Sequence, residues 1–371
     1  MRKTLTGLLA VALMIGGTPA VAMGHHSPQR ELNGLVRENG FPAALAAVTV
    51  ADGGTALFAA GTSELGRYAP APANGRVRAG SNTKAFVAVV VMQLVAEGKV
   101  ELDRPITRYL PGVVKDDRIT VRQLLQHTSG LPDYADYLGI DQFESLRHRY
   151  FEPHELIDIA NAHPLLHAPG EKFAYSNTNY VLLGLLIQQV TGRPVSEQID
   201  QRILRELGLR DTYWPGVGVE RIRGRYLHGY FRVNGVVTDV TEADPSWAWA
   251  AGQLITTGKD LNTFFRAVLG GKLVPSAQLA EMRKTVDSSA GMWPGAEYGL
   301  GLVSTRLSCG GKAWGHGGDI PGYETRTGVT DDGRAVTVAV NAVPGTAEGT
   351  SEGARQARAA VLSTVDSTLC R

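Results

Sequence analysis

The sequence predicts an α/β chain of the α+β kind: one antiparallel sheet flanked by helices, with a mostly helical lobe inserted into it. Three observations carry that expectation. β-rich segments appear at both ends of the chain, and residues about 99–225 read as helices separated by short loops rich in Pro and Gly. Neither an internal repeat nor a low-complexity linker divides the 371 residues. A sheet drawn from both termini, with helices between, leaves a crevice between two lobes, and ligand sites favour such crevices.

The first 22 residues read as a secretory signal peptide. Arg2 and Lys3 precede an apolar run from Leu5 to Ile15, and Ala20-Val21-Ala22 supplies small residues for cleavage. The run is too short for a stable membrane anchor, and no later segment carries the roughly 18 uninterrupted apolar residues of a spanning helix. Residues 23–371 are therefore expected to form one secreted, extracellular domain. With 37 Lys and Arg against 36 Asp and Glu and no basic run, the chain lacks a nucleic-acid footprint. In an oxidising compartment its two cysteines, Cys309 and Cys370, are expected to form one disulfide, two free thiols being the alternative.

The elements follow in order. A helix is expected at Glu31–Asn39, then a hairpin of Ala44–Val50 and Thr55–Ala60 turning at Asp52-Gly53-Gly54. Lys84–Glu97 is apolar almost all round and stops at Gly98, the pattern of a buried helix. In the middle, Thr120 opens a helix over Val121–His127, and Ser176-Asn177 open one that Gly192 ends. Strands return at Leu227–Val237, Gly299–Leu307, Tyr323–Val329 and Ala335–Asn341. Helices at Gly258–Leu269 and Pro275–Arg283 interrupt them, and a last helix fills about Thr346–Thr364.

Chemistry concentrates in three short runs. Ser81-Asn82-Thr83-Lys84 puts a hydroxyl and an amine at i and i+3, on one face of a helix start where free backbone N–H groups can hold an oxyanion. Tyr175-Ser176-Asn177 puts a phenol and an amide two residues apart at another helix start; the bland reading is a helix cap with a half-buried tyrosine. Trp314-Gly315-His316-Gly317-Gly318-Asp319 sits between two expected strands, where Gly318 and its neighbours let backbone approach a ligand closely. A glycine-rich turn with an incidental histidine is the alternative there. The histidines elsewhere form no metal pattern: Pro164 disfavours helix at His163, and no His-Glu-x-x-His occurs, so His25, His26, His163 and His167 read as structural or exposed.

Together and in this order, the three runs resemble the motif set of the penicillin-recognising serine hydrolases, the class C β-lactamase and D-alanyl-D-alanine carboxypeptidase group. Leu124-Leu125-Gln126-His127-Thr128-Ser129-Gly130-Leu131, Pro169-Gly170 and Tyr298-Gly299-Leu300-Gly301 resemble it too, over essentially the whole mature chain. Neither Ser-Asp-Asn nor Lys-Thr-Gly occurs, which argues against a class A β-lactamase. The nearest resemblance is to the secreted, soluble D-alanyl-D-alanine carboxypeptidases, whose third motif begins with His and whose disulfide joins cysteines placed like Cys309 and Cys370.

The resemblance implies a β-lactamase/transpeptidase-like fold and an acyl-enzyme on Ser81, with Lys84 and Tyr175 sharing the proton relay. Asn177 would hold the acyl-chain amide, and His316 would add positive potential or a hydrogen bond. Backbone N–H groups of Ser81 and Asp319 would complete an oxyanion hole, and Trp247 would either wall the pocket or belong to the core. It also implies no cofactor and no metal, a monomer, peptidoglycan-type or other D-amino-acid peptides as substrates, and β-lactams as covalent ligands. Two features depart from the carboxypeptidase pattern, which carries His-Thr-Gly-Thr and an arginine following the Tyr-Gly-Leu-Gly-Leu strand: Gly317 and Asp319 lack the hydroxyls, and Val303 follows Leu302. An unpaired Asp319 about 4 Å from a substrate carboxylate would cost roughly 4 kcal/mol at an effective dielectric of about 20. Either Arg326 or Arg306 neutralises it, or the leaving group carries no free carboxylate. The alternatives are therefore a D-stereospecific aminopeptidase, amidase or esterase, a β-lactamase, or a sensor that binds peptidoglycan fragments or penicillin without turnover.

Overall fold

Nine strands form the main sheet of the computed structural model, which describes residues 27–140, 143–342 and 351–371. The expected signal peptide lies outside these residues, as do residues 346–350 of the expected last helix. Across the sheet the order is Thr55–Gly61, Ala43–Thr49, Ala335–Val340, Tyr323–Thr330, Lys312–Gly315, Val303–Arg306, Ala296–Tyr298 and Val286–Asp287, and Gly317–Ile320 also pairs with Tyr323–Thr330. All pairings are antiparallel, and strands from the two chain ends pair one strand in from its Thr55–Gly61 edge, with Ala44 opposite Val340 and Thr49 opposite Ala335. The predicted fold class is therefore the observed one.

Period-two alternation sorts the two faces. Ala44, Ala46, Val336, Val338 and Val340 pack with Leu32, Leu35, Val361 and Val365 of the helices Pro28–Arg37 and Ser351–Leu369. Ala43, Leu45, Ala335 and Ala339 face the larger core, with Phe264 of helix Gly258–Leu269 and the helical lobe. At the heart of that core runs Asn82–Ala96, buried along nearly its whole length as its all-round apolar pattern requires. Helix Asn177–Thr191 crosses beside it and ends at Gly192 in the left-handed conformation, φ 65°. No helix among the described residues is long and apolar enough to cross a membrane.

Two expected strands are corrected. Leu227–Val237 is not one strand but a separate ribbon, Tyr230–Val233 with Val236–Asp239, turning at Asn234 and Gly235, both at positive φ. Asn-Gly is the strongest short-range hairpin signal and decides this break. Gly299–Leu307 is a strand only over Val303–Arg306; its first residues, Gly299 to Gly301, form the turn that joins it to an antiparallel strand before it, Ala296–Tyr298. A Cβ on Gly301 would stand 2.3 Å from Ala88 Cβ, so this turn is pressed against the buried helix. Cys309 and Cys370 form the expected disulfide, fastening the end of the last helix to the turn before Lys312–Gly315.

Candidate active site

Ser81 opens helix Asn82–Ala96 but does not cap it, since its side chain makes no capping hydrogen bond. Its Oγ instead lies 2.9 Å from Lys84 Nζ, and Tyr175 lines the same cleft. Lys84 is fully buried, and its Nζ also donates to Asn177 Oδ1 at 2.7 Å and to the Ala251 carbonyl at 2.8 Å. Burial lowers the lysine pKa to about 7, and the Asp133 carboxylate opposes that fall. A neutral amine held this way keeps two donors on the two carbonyl oxygens and turns its lone pair toward the serine proton. Tyr175 stacks on the His127 ring with centroids 4.1 Å apart, and burial drives its pKa well above the ordinary tyrosine value although Ser81 opposes the rise.

Across the cleft, the third run forms two short strands broken at His316 rather than a turn. Gly80, at φ 51°, lies so close that a Cβ there would meet Asp319 N and Gly318 C at 3.1 Å. A Cβ on Gly318 would fall 2.0 Å from the Ala79 carbonyl oxygen. Both positions therefore need glycine, one for its dihedral and both for clearance. Asn82 Nδ2 reaches Thr325 Oγ1 at 2.6 Å and ties the serine turn to the neighbouring strand.

His316 departs from one expectation. It is 1% exposed, its Nδ1–H donates to the Gly317 carbonyl at 2.5 Å, and its Nε2 accepts from the Tyr298 hydroxyl at 2.9 Å. Burial, reinforced by the charges of Lys84 and Arg326, pulls its pKa down to about 3. The ring is neutral and supplies no positive potential, which leaves its hydrogen-bonding role. Between pH 3 and the ordinary histidine value of about 6.5 the unfolded chain binds a proton that the native chain does not. Stability is therefore expected to fall as pH drops through that window, by about 1.4 kcal/mol per pH unit from this residue. Unfolding free energies measured from pH 4 to 7 should show a shallower slope in His316→Gln; an unchanged slope would rule out the neutral assignment.

Asp319 has the first of its two candidate partners. Arg326 donates through Nη1 to Oδ1 at 2.6 Å and through Nη2 to Oδ2 at 3.1 Å, a bidentate pair. The ladder puts Glu324 directly opposite Asp319, with Oε1 3.0 Å from Arg326 Nη2, and burial lifts the Glu324 pKa to about 8. Burial alone would raise the Asp319 pKa as well, but the charge and hydrogen bonds of Arg326 outweigh it and leave Asp319 an anion. Arg358 of the last helix stands 3.8 Å from Asp319 Oδ2, with its side chain 41% exposed.

A cleft of about 260 Å³ is lined by Ser81, Tyr175, Asn177, Trp247, His316 and Asp319, so the structure gathers the sequence-predicted residues at one place. Lys84 and Gly318 are not in its lining: Lys84 is buried and reaches the lining residues Ser81 and Asn177, and Gly318 packs against the Ala79 carbonyl. Trp247 belongs to both of its readings: it is 8% exposed, packs edge-on against Phe143 and still borders the cleft. Trp293, Arg326 and Arg358 also border it, and Asp133 stands behind Asn177, donated to by Asn177 Nδ2 at 2.8 Å. Sequence reasoning missed Asp133 although it follows directly on the Leu124–Leu131 stretch, as Pro132-Asp133. Among the described residues no cluster of His, Cys, Asp and Glu could hold a metal ion, and the His163 ring stacks on Tyr137.

Comparison with known proteins gives a consistent result. The family model described as Beta-lactamase matches residues 29–361. The solved D-stereospecific amidohydrolase from Streptomyces sp. is 38% identical, with a TM-score of 0.79 over 89% of this chain and 97% of that one. The D-amino acid amidase from Ochrobactrum anthropi SV3, solved in complex with D-phenylalanine, is 28% identical with a TM-score of 0.78, covering 92% of this chain and 98% of that one. Penicillin-binding protein 4* of Bacillus subtilis (strain 168) is 28% identical over 293 residues, 75% of this chain and 63% of the relative. The chain thus spans under two thirds of the length of the curated relatives it matches.

Proposed function

We propose that this chain, which belongs to the beta-lactamase family of serine hydrolases, is a D-stereospecific amidase that passes through an acyl-enzyme on Ser81. The observation that carries the amide preference is the Asp319–Arg326 pair. Arg326 is spent on Asp319 in two hydrogen bonds, and position 303 is valine, so neither offers the free cation that a carboxypeptidase would need for a terminal carboxylate. The Streptomyces amidohydrolase and the Ochrobactrum amidase support the same choice, and with it the D-configuration of the acyl residue.

In acylation the Ser81 oxygen attacks the amide carbon, and its proton passes to Lys84. Lys84 is the better base of the two neighbours because its pKa lies near 7 while that of Tyr175 is pushed far above neutrality. As the C–N bond breaks, the neutral phenol of Tyr175 protonates the departing amine, and the resulting phenolate recovers its proton from the Lys84 ammonium, which stands over the Tyr175 ring 4.9 Å from its centroid. The developing oxyanion is held by the backbone N–H groups of Ser81 and Asp319. Water then repeats the cycle and returns the proton to Ser81. Asn177, braced by Lys84 and Asp133, presents its remaining amide N–H to the substrate. Export completes the reading: the leader-like first 22 residues and the Cys309–Cys370 disulfide support work in an oxidising, extracellular setting.

A second reading, D-alanyl-D-alanine carboxypeptidase, is favoured by Arg358, an accessible guanidinium at the rim that could receive a terminal carboxylate. One matched pair separates the two. A peptide ending in D-Ala-D-Ala and its C-terminal amide are expected to differ in kcat/KM by on the order of a hundred-fold in favour of the amide, since Arg326 offsets part of the Asp319 repulsion. Asp319→Thr removes that anion and frees Arg326, so the preference should move toward the acid. Faster cleavage of the free acid by the wild type would overturn the amidase reading.

A further inference from the structure

We infer that Asp133 is a positioning residue for the proposed Ser81–Lys84 chemistry, fixing the sense of the Asn177 amide and holding a proton on Lys84 that burial would otherwise expel. This rests on the acyl-serine reading above but not on which amide or ester is cleaved.

The geometry is a continuous chain. The Ala135 N–H donates to Asp133 Oδ1 at 3.0 Å, and Asn177 Nδ2 donates to Asp133 Oδ2 at 2.8 Å. Asn177 Oδ1 accepts from Lys84 Nζ at 2.7 Å, and Nζ reaches Ser81 Oγ at 2.9 Å. An amide's oxygen and nitrogen ends are nearly the same shape, so packing alone cannot tell them apart. An ionised carboxylate accepts and never donates. Asp133 therefore compels the NH₂ end of Asn177 to face it, and the oxygen end is left for Lys84. With the amide reversed, its N–H groups would meet the lysine N–H groups, donor against donor, and Nζ would lose one of its three supports.

Charge acts along the same line. Lys84 is faced by the rings of Tyr175 and Tyr180 at 4.9 and 5.6 Å, by Ser81, by the Ala251 carbonyl, and by the field of His127 and His316. Burial lowers the pKa of both histidines, so neither is a cation at neutral pH. Asp133 is the anion that opposes the desolvation of Lys84. Burial raises the pKa of Asp133, and the charge of Asp136 adds to that rise, while the hydrogen bonds from Ala135 and Asn177 and the charge of Lys84 favour the anion; the phenols of Tyr134 and Tyr175 stand beside it. Without the Asp133 charge, Lys84 would surrender its proton at lower pH, and an opposite charge at such range commonly moves a pKa by about one unit or more.

The test is the pH profile of kcat/KM from pH 4.5 to 9, with D-alanine amide and, independently, with p-nitrophenyl acetate, whose acylation of Ser81 demands no D-amide preference. The acid limb should fall by about one pH unit in Asp133→Asn and in Asp133→Ser, two neutral replacements of different shape. Asp133→Glu, which keeps the anion, should return the limb to the wild-type position. At pH 6 the neutral variants should then retain about five times more of their own plateau rate than wild type does. A limb that stays in place in the neutral variants, or shifts equally in Asp133→Glu, overturns the inference. Loss of the amide reaction alone, with the ester limb still displaced, would instead count against the amidase assignment and leave Asp133 in its role.

Discussion

Ser81→Ala is expected to lower hydrolysis by about a million-fold and to abolish covalent labelling by a fluorescent penicillin. The magnitude follows from what the hydroxyl does in this cleft. Ser81 Oγ is the point where the Lys84 amine and the Tyr175 phenol converge, and it makes no capping bond that alanine would forfeit. Removing it therefore takes away the covalent route while leaving the helix start, the Asn82–Thr325 tie and the glycine clearances as they are. Intact-protein mass after incubation with the penicillin reads the result directly. An adduct that persists in the alanine variant would show that the nucleophile lies elsewhere.

Lys84→Met should cost about a thousand-fold or more in kcat, the usual worth of a positioned general base, and erase the acid limb that wild type is expected to show near pH 7. The variant should nevertheless fold. Keeping a lysine so depressed in pKa costs the native state about 4 kcal/mol at pH 7, a penalty that methionine does not carry. Against that gain, Asn177 Oδ1 and the Ala251 carbonyl lose a donor, at about 1–3 kcal/mol each. The two sides nearly balance, so thermal midpoints close to wild type are expected beside the collapse in rate. A rate profile that still climbs through pH 7 in the methionine variant would transfer the base role to Tyr175.

What was legible in the sequence was local. Ser81 and Lys84 share a helix face by spacing alone, Tyr175 and Asn177 sit at a helix start, and the hairpin at Asp52-Gly53-Gly54 announces itself by turn chemistry. Arg326 could be named as a partner for Asp319, but choosing it over Arg306 needed the register that sets Asp319 opposite Glu324 and Gly317 opposite Arg326. That strand, Gly317–Ile320, is four residues long with two glycines and carries no alternation to read. Burial was the other hidden quantity: the charge state of His316 depends on a Tyr298 hydroxyl and a Gly317 carbonyl that the motif does not mention. The Asn234-Gly235 ribbon differs in kind, because its signal was present and outweighed by the apolar run around it.

The joining of the two chain ends in one sheet has a consequence in time. The Ala43 amide donates to the Asn341 side chain across 298 residues of sequence. At about 5–20 residues per second, a ribosome needs roughly 15–60 s to supply that partner after the first strand has emerged. Throughout that interval the hairpin of Ala43–Thr49 and Thr55–Gly61 presents an unpaired edge, the template on which strands of other chains can add. The serine turn, made early, cannot meet Gly318 and Asp319 until nearly nine tenths of the chain exists, so the enzyme has no half-built active form. Holding the nascent chain apart from its neighbours until the last strand arrives is thus a demand this topology places on the cell that makes it.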